Sequence, residues 1–404
     1  MYSYDVIETF GNFYRDRGHR PVPDGTLLRP PGDPVLFTTS GMHPLTPYLE
    51  GRRHPLGRRL VNVQRCLRTT DLDEVGDPWH LTVFQMLGSW SLGDYDGSQS
   101  LRWGYQLLRD ELGVDVSRLH VTVFGGDDQV GPDRESWQTW TELGLPVEPT
   151  PEDNWWSNGP TGPCGPDSEL FYWTGDGPPT GPPSTDSRWV EIWNHVMMRY
   201  RRLDDGSLMP LSSPSVDTGM GLERLLTMLQ QTGSVFDCDV FDGWVEEVDR
   251  LWRLRDRDRR VVIDHLRSCV VVLGDGIRPS SSRQGYVLRR LVRRVLTTLW
   301  RDDRSRRLGD LSPDPVEETS RRFGQPDEPQ RLLSLLDEEE RRFRGVLDRG
   351  QVLLSRRGSG PVVEGEYRYW HETHGLPREL VDLVLGERLG GSQVQQGPQV
   401  SGGR

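Results

Sequence analysis

Two arginines stand in sequence contexts that suit a phosphorylated ligand. Arg224 ends the segment Ser215–Arg224 (SVDTGMGLER), whose two glycines permit a tight turn into the apolar helix that follows. A cation in the first helical turn is unfavourable unless it faces an anion, so the pattern indicates a phosphate beside Arg224. The alternative is an ordinary glycine turn with a solvated arginine.

The second arginine, Arg68, ends the run Gln64–Arg68, and the chain returns after a short loop through Leu81–Gly88. An arginine that ends one strand and an aromatic residue on the return strand suit a nucleotide, because the guanidinium fork neutralises an α-phosphate. Phe84 or Met86 would pack against the base. The alternative is an ordinary hairpin with a core phenylalanine.

A third candidate region comprises Asp153–Trp156 and the segment Thr161–Glu169 (TGPCGPDSE). Its glycines and prolines predict an irregular loop, fixed at low entropic cost, that places binding groups on a scaffold. Cys164 is interpreted as structural rather than nucleophilic, because no histidine or other base is evident nearby.

Hydrophobic spacing predicts a mixed first part of the chain. Val6, Phe10 and Tyr14 repeat at helical spacing, which predicts an opening helix over 3–18. Further helices are expected at 101–112 and 135–143, and strands at 35–39, 81–86, 119–124, 170–173 and 189–200. Because these strands seldom alternate regularly with helices, the predicted fold class is α+β with a largely antiparallel sheet flanked by helices.

The second part of the chain is predicted to be all-helical. Its 3.6-residue apolar periodicity places helices at 240–254, 260–273, 284–300, 329–354 and 369–385. The sequence therefore divides into a catalytic domain over 1–235, a helical domain over 236–390 and a disordered polar tail over 391–404.

Composition excludes several classes of protein. The chain has 404 residues and a formal net charge of −12, which gives no bulk electrostatic reason to bind nucleic acid. Four widely separated cysteines form no disulfide framework, and the sequence shows neither an apolar run of membrane-spanning length nor a signal peptide. These features predict a soluble cytoplasmic protein with no membrane partner.

Lysine and alanine are both absent from the chain. Without lysine, Schiff-base chemistry, a Walker lysine and a lysine nucleophile are excluded.

Taken in order, the segments resemble the catalytic half of the alanyl-tRNA synthetase family, which belongs to the class II aminoacyl-tRNA synthetases. The resemblance runs from about Phe10 to about Arg388 and identifies the chain as a truncated paralogue. Its densest matches are Phe37–Met42, Gln64–Arg68, Phe84–Tyr95, Thr161–Glu169, Glu191–Asn194, Ser215–Arg224, Asp264–Cys269 and Gly285–Arg290.

The resemblance implies a role for each matching residue. Arg68 corresponds to the motif-2 arginine on the α-phosphate, Arg224 to the motif-3 arginine on the γ-phosphate side, and Asp217 to the aspartate that binds the amino group of alanine. These three would be the catalytic residues, and Phe84 and Met86 would complete the ATP site. The implied alanine pocket consists of Trp156, Asn194, Val196, Asp217 and Gly219.

The implied reaction is in-line attack of the alanine carboxylate on ATP, assisted by Mg²⁺ and by arginine clamps. No protein-bound metal site is expected. A pocket sized for a methyl group discriminates poorly against glycine or serine.

The chain also departs from the family pattern. The family's Gly-Gly-Lys stretch after the motif-2 arginine is reduced to Thr69 and Thr70, and its glutamate in the next strand is Gln85. The family reads the acceptor-stem G·U pair with an asparagine and an aspartate, where this chain has Ser281 and Glu379. No Cys/His cluster stands in for the family's zinc-dependent editing domain.

These departures favour alanine activation followed by transfer to a non-tRNA acceptor, a small nucleoside-like intermediate of a specialised-metabolite pathway such as antibiotic biosynthesis. The alternative is a minimal alanyl-tRNA synthetase without editing, and a third interpretation is a non-catalytic regulator. The arginine-rich run Arg289–Arg307 is interpreted as a solvated face rather than a phosphate-binding surface.

Overall fold

The computed structural model describes residues 1–30, 33, 35–150, 153–325, 327–357, 360–376 and 378–391, with the side chains of 379 and 387–391 left aside. The predicted tail over 391–404 lies almost wholly outside this part. The chain divides into two compact units, Met1–Asp242 and Gly243–Arg404. No described helix combines the length and hydrophobicity that crossing a bilayer requires.

Unit 1 is built on a mixed sheet. Its strands in the described part are β1 Arg20–Pro21, β2 Arg59–Leu67, β3 Val83–Ser91, β4 Leu119–Phe124, β5 Val147–Thr150, β6 Trp155–Ser157, β7 Gly162–Trp173, β8 Trp189–Arg202 and β9 Leu208–Gly221. Its helices are α1 Ser3–Asp16, α2 Thr46–Leu49, α3 Gly97–Gln106, α4 Arg134–Glu142 and α5 Leu222–Gln230.

The strand order is β1-β2-β3-β9-β8-β7-β4-β5, with β6 paired to β7. Only β1–β2 and β4–β5 pair in parallel among the described strands, which confirms the predicted α+β sheet. Helix α1 forms because Val6, Phe10, Phe13 and Tyr14 repeat at helical spacing, and it buries this stripe. The side chain of Asp96 caps α3 by accepting a hydrogen bond from the amide of Gln99.

All of the secondary structure described in unit 2 is helical. Its helices are α6 Asp242–Leu251, α7 Asp256–Gly274, α8 Arg283–Asp302, α9 Asp314–Arg322, α10 Pro329–Ser355, α11 Glu364–His374 and α12 Arg378–Gly391. Helix α7 is its centre, since every residue over 261–273 is buried. On α8, Leu288, Leu291, Val295 and Leu299 form the buried stripe.

The arginines of α8 pair with carboxylates. The Nε of Arg293 donates a hydrogen bond of 2.9 Å to the Oε1 of Glu339 on α10, and the Nε of Arg289 lies 3.5 Å from the same oxygen. Arg293 is half-buried rather than solvated, and its guanidinium carbon lies 4.8 Å from the ring centroid of Phe343. The interpretation of this run as a solvated face is therefore wrong at Arg293.

The prediction of a strand over 35–39 is wrong. Among the described residues, Phe37 forms an isolated bridge with Leu28, and Thr38 makes one backbone hydrogen bond to Leu27 and one to Leu67 of β2, which do not add up to a paired strand. The prediction of one helix over 369–385 is also wrong. Gly375, at φ 66°, ends α11 in the left-handed conformation, and α12 then begins at Arg378.

The segment Thr161–Glu169 is a strand rather than the predicted irregular loop. From Gly162 onward it belongs to β7, which pairs with β8 across a bulge between Cys164 and Asp167. Glycine is required at position 165, because a Cβ there would lie 2.0 Å from the carbonyl oxygen of Met197. The glycines thus permit close strand approach where the sequence suggested a turn.

Candidate active site

One face of the sheet carries several of the predicted site residues. Residues directly opposite each other in an antiparallel pair lie on the same face. Asp217 of β9 lies opposite Trp90 of β3 on one side and opposite Val196 of β8 on the other, and Gly219 lies opposite Asn194. Neighbouring strands therefore bring these separated sequence positions together.

A cavity opens on unit 1 where β9 runs into α5. Five predicted residues line it: Arg68, Phe84, Met86, Gly219 and Arg224. Its other lining residues are Asp71, Trp79, His80, Leu81, Glu191, Ile192, Gly221 and Glu223. The cavity thus combines two guanidinium groups with an apolar wall, which suits a ligand that carries both phosphates and an aromatic base.

Arg68 lies just beyond the end of β2, as its position in the sequence suggests. Its amide donates to the carbonyl of Thr82 at 3.0 Å, and its Nε donates to the carbonyl of Thr39 at 3.3 Å. The guanidinium carbon lies 5.1 Å from the ring centroid of Phe84. No described carboxylate forms an ion pair with Arg68, so its charge is available to an anionic ligand.

Arg224 lies in the first turn of α5, and Gly221 is the N-cap of that helix. The Nη1 of Arg224 donates hydrogen bonds to the backbone carbonyl of Glu191 at 3.0 Å and to the carboxylate Oε2 of Glu191 at 3.2 Å. Glu191 and Ile192 both line the cavity because β8 and β7 change register at Leu170/Phe171. The irregularity thereby supplies a carboxylate that orients Arg224.

Carboxylates accumulate beside this site. Asp167 and Glu169 lie on β7, opposite Val196 and Asn194. Burial raises the pKa of Asp167 to about 7. Burial first, then the charges of Glu191 and Asp167, hold the pKa of Glu169 well above its ordinary value. Such a concentration of negative charge favours a cation.

Asp217 is buried at the other end of the same face. Its Oδ1 accepts a hydrogen bond of 2.5 Å from Nε1 of Trp90. Burial raises the pKa of this carboxyl to about 7, and the hydrogen bond from Trp90 opposes the rise. No cationic side chain pairs with Asp217 among the described residues. A buried carboxylate that lacks a described cationic partner is suited to bind a cationic group of a ligand.

Bulky side chains restrict the space around Asp217. Val196 and Trp90 belong to one buried hydrophobic cluster, and Trp156 packs against it. A Cβ on Gly88 would lie 2.3 Å from the Trp90 ring, so that ring folds directly over the Gly88 backbone. The arrangement fits a ligand with an ammonium group and a very small side chain.

A family model described as tRNA synthetases class II (A) matches residues 5–396. The chain belongs to this family. It is 39% identical over 411 residues to the alanine–tRNA ligase of Treponema pallidum, covering 93% of this chain and 67% of the relative. It is 43% identical over 305 residues to the alanine–tRNA ligase of Treponema denticola, covering 70% and 51% respectively.

The alanine–tRNA ligase of Rubrobacter xylanophilus is 35% identical over 423 residues, which cover 96% of this chain and 47% of that protein. The chain therefore spans between about half and two thirds of the length of these curated relatives. The resemblance to the catalytic half of this family is confirmed.

Three residues of this class II synthetase contribute to the site without having been predicted. Glu191 orients Arg224, and Trp90 holds Asp217. His80 lines the cavity, and its Nδ1 lies 2.6 Å from the Oδ2 of Asp77. Glu191 and Trp90 lie inside matched segments, so a signal existed, but only the register shows which groups they contact.

The altered positions of this class II synthetase differ in setting. Gln85 is buried, and its side-chain Oε1 has no hydrogen-bond partner among the described residues. Its backbone N–H donates a hydrogen bond to the carboxylate of Glu223. The described residues after Arg68, which the resemblance matches to the motif-2 loop, include a 3₁₀ turn over Thr70–Asp73. Ser281 is exposed just before α8, and Glu379 lies on α12, where its side chain is not described.

Proposed function

We propose that the chain uses ATP to activate L-alanine, forming alanyl-adenylate and pyrophosphate. The observation that carries the proposal is the buried carboxylate of Asp217, which has no cationic partner among the described residues and lies in a confined apolar setting. A carboxylate of this kind matches the ammonium of an amino acid, and the confinement matches a methyl side chain. The names of the curated relatives support the same substrate.

Adenylate formation requires the two parts of the site to act together. A carboxylate oxygen of alanine attacks the α-phosphorus of ATP, an O–P bond forms, and the bond to the bridging oxygen of the β-phosphate breaks as pyrophosphate leaves. Arg68 would stabilise the charge on the α-phosphate, and Arg224 would hold the γ-phosphate side. Phe84 and Met86 would contact the adenine, while Trp156, Asn194, Val196 and Gly219 would enclose the alanine.

The sequence predicts no protein ligands for a metal, but the carboxylates of Glu169 and Glu191 would hold Mg²⁺ together with the phosphates of ATP. Magnesium in such sites takes one or two carboxylates and completes its coordination with phosphate oxygens and water. Burial first, and then repulsion from Glu191 and Asp167, raise the pKa of Glu169, and a divalent cation beside this carboxyl would favour its ionised form. When bound, the ion would neutralise the charge of the phosphates.

Two acceptors compete for the activated alanine. The names of the curated relatives support tRNA-Ala. The residues Ser281 and Glu379 support a small nucleoside-like acceptor, since the resemblance places them where the family reads the acceptor stem of tRNA. A nucleoside would occupy the place of the terminal adenosine of tRNA without remodelling the ATP end of the site.

A two-part assay on the purified chain tests the proposal. Alanine-dependent release of pyrophosphate without tRNA is expected, and its absence would overturn alanine activation. The second part adds either tRNA-Ala or 3′-amino-3′-deoxyadenosine and measures alanine incorporated into each. Charging of tRNA-Ala alone would establish a minimal synthetase, whereas alanylation of the nucleoside alone would establish a small-molecule ligase. An Arg68→Gln variant serves as the inactive control in both parts.

A further inference from the structure

The chain lacks both lysine and alanine, and a single codon bias does not explain both absences. It contains 49 arginines, 45 glycines and 30 prolines but no lysine, five asparagines and four isoleucines. This is the pattern of a gene with GC-rich codons, and it accounts for arginine in place of lysine. Alanine codons are also GC-rich, and alanine is among the commonest residues of soluble proteins. The bias that removes lysine should therefore enrich alanine, yet the 404 residues contain none.

Helical glycines show that alanine is missing where folding would favour it. At Gly365 of α11 and Gly386 of α12, no described atom outside the helix's own backbone lies within 4 Å of the position that a Cβ would take. At Gly345 of α10 and Gly11 of α1, a Cβ would meet only the ends of arginine side chains, at 3.6 and 3.7 Å. None of the four has a positive φ. Glycine destabilises a helix interior relative to alanine, so Gly11, Gly345 and Gly386 each carry a folding cost without a conformational reason, while Gly365 lies in the first turn of α11.

Two buried positions in the core of unit 2 carry serine where alanine would be more stable. Ser268 of α7 is fully buried and Ser320 of α9 is 3% exposed. Neither Oγ has a hydrogen-bond partner among the described residues. A buried hydroxyl without a partner costs stability, and alanine has the same shape without the polar atom. At these two positions the chain keeps a hydroxyl that contributes no described bond.

We propose that alanine is excluded from this chain by selection on its synthesis, so that the protein is made while charged tRNA-Ala is scarce. The inference rests on the proposed function, because the excluded residue is the amino acid that the site is proposed to consume. An enzyme of this kind draws on the same alanine as translation. Without alanine codons, its own synthesis does not slow as that supply falls.

The proposal requires that alanine be compatible with the fold. The test variant carries Gly345→Ala, Gly365→Ala, Gly386→Ala, Ser268→Ala and Ser320→Ala, all in unit 2. The matched control carries Gly345→Ser, Gly365→Ser and Gly386→Ser and remains free of alanine. In the full chain, the test variant is expected to have a Tm higher by roughly 5 °C, because the helical glycines and unpaired hydroxyls are removed. A lower Tm would mean that folding excludes alanine, and the proposal would be overturned.

The second measurement follows synthesis in an alanine-auxotrophic host shifted to limiting alanine. All three chains carry Arg68→Gln, so the result does not depend on alanine activation. Pulse-labelling is expected to show that the parent and the serine control are made at least fivefold faster than the alanine variant. A parallel fall of all three rates would overturn the proposal. The pyrophosphate assay scores the proposed function separately, so failure of one does not imply failure of the other.

Discussion

The indole Nε1 of Trp90 donates a 2.5 Å hydrogen bond to the carboxylate of Asp217 across the β3–β9 pair. This bond holds a buried acid on the face of the sheet whose other end carries the cavity of Arg68 and Arg224. Since burial disfavours its charged form, the pKa of Asp217 is raised to about 7. An amino acid that brings its own ammonium group would complete the pair, which is why the site depends on this one carboxylate.

The affinity for alanine should depend on pH. Asp217 attracts an ammonium group only when ionised, so KM for alanine is expected to rise about tenfold for each pH unit below 7, while KM for ATP changes little. The pH dependence of alanine-dependent pyrophosphate exchange measures this. A KM for alanine that stays constant between pH 5.5 and 8 would contradict the assignment.

The free energy of unfolding should decrease as pH rises, whereas the affinity for alanine should increase. Because the folded-state pKa of Asp217 is raised, the native chain holds a proton that the unfolded chain releases above about pH 4. The contribution of this group is therefore present at low pH and is lost as pH rises toward 7. Denaturant unfolding of Asp217→Asn should show a shallower loss of unfolding free energy over that range. Identical slopes for parent and variant would show that the carboxyl titrates normally.

The close fit of Trp90 over Gly88 makes that glycine sensitive. A Cβ at this position would lie 2.3 Å from the Trp90 ring, so Gly88→Ala must displace the indole that holds Asp217. KM for alanine should rise by roughly tenfold or more, with a smaller change in KM for ATP. Gly365→Ala, whose Cβ would have no described neighbour within 4 Å outside its own helix backbone, is the matched control and should leave both values unchanged.

The two arginines should affect the chemical step. Arg68→Gln and Arg224→Gln are each expected to lower kcat for pyrophosphate exchange by about 100-fold or more, because each removes charge stabilisation from the transferring phosphates. Arg102, which is exposed and paired with Glu142, provides the control Arg102→Gln. Equal rates for all three variants would remove the arginines of the cavity from the mechanism.

Selectivity should depend on Val196. This residue lies opposite Asp217 and belongs to the cluster that encloses it. Val196→Ala creates room for a larger side chain, so the ratio of kcat/KM for 2-aminobutyrate over alanine should increase by roughly tenfold. Val352→Ala on the exposed face of α10 is the control. An unchanged ratio would place the amino-acid side chain elsewhere.

The sequence predicted several residues that line the cavity, but it did not predict the groups that surround them. Arg68, Phe84 and Met86 could be placed from a strand, loop and return strand, and Arg224 from a glycine turn into a helix. Glu191 could not be placed, because its position beside Arg224 depends on a register irregularity between β7 and β8. The glycines over 161–169 suggested a loop, since sequence alone does not separate a turn from close strand approach.

The Asp217 carboxylate is expected to select alanine for activation. The most direct measurement is ATP–pyrophosphate exchange with each of the twenty amino acids, using the purified chain and Asp217→Asn without tRNA. Exchange is expected with alanine and more weakly with glycine and serine, and the exchange rate with alanine is expected to fall at least 100-fold in the variant. Exchange that is absent with alanine, or that survives unchanged in Asp217→Asn, would contradict this role of Asp217.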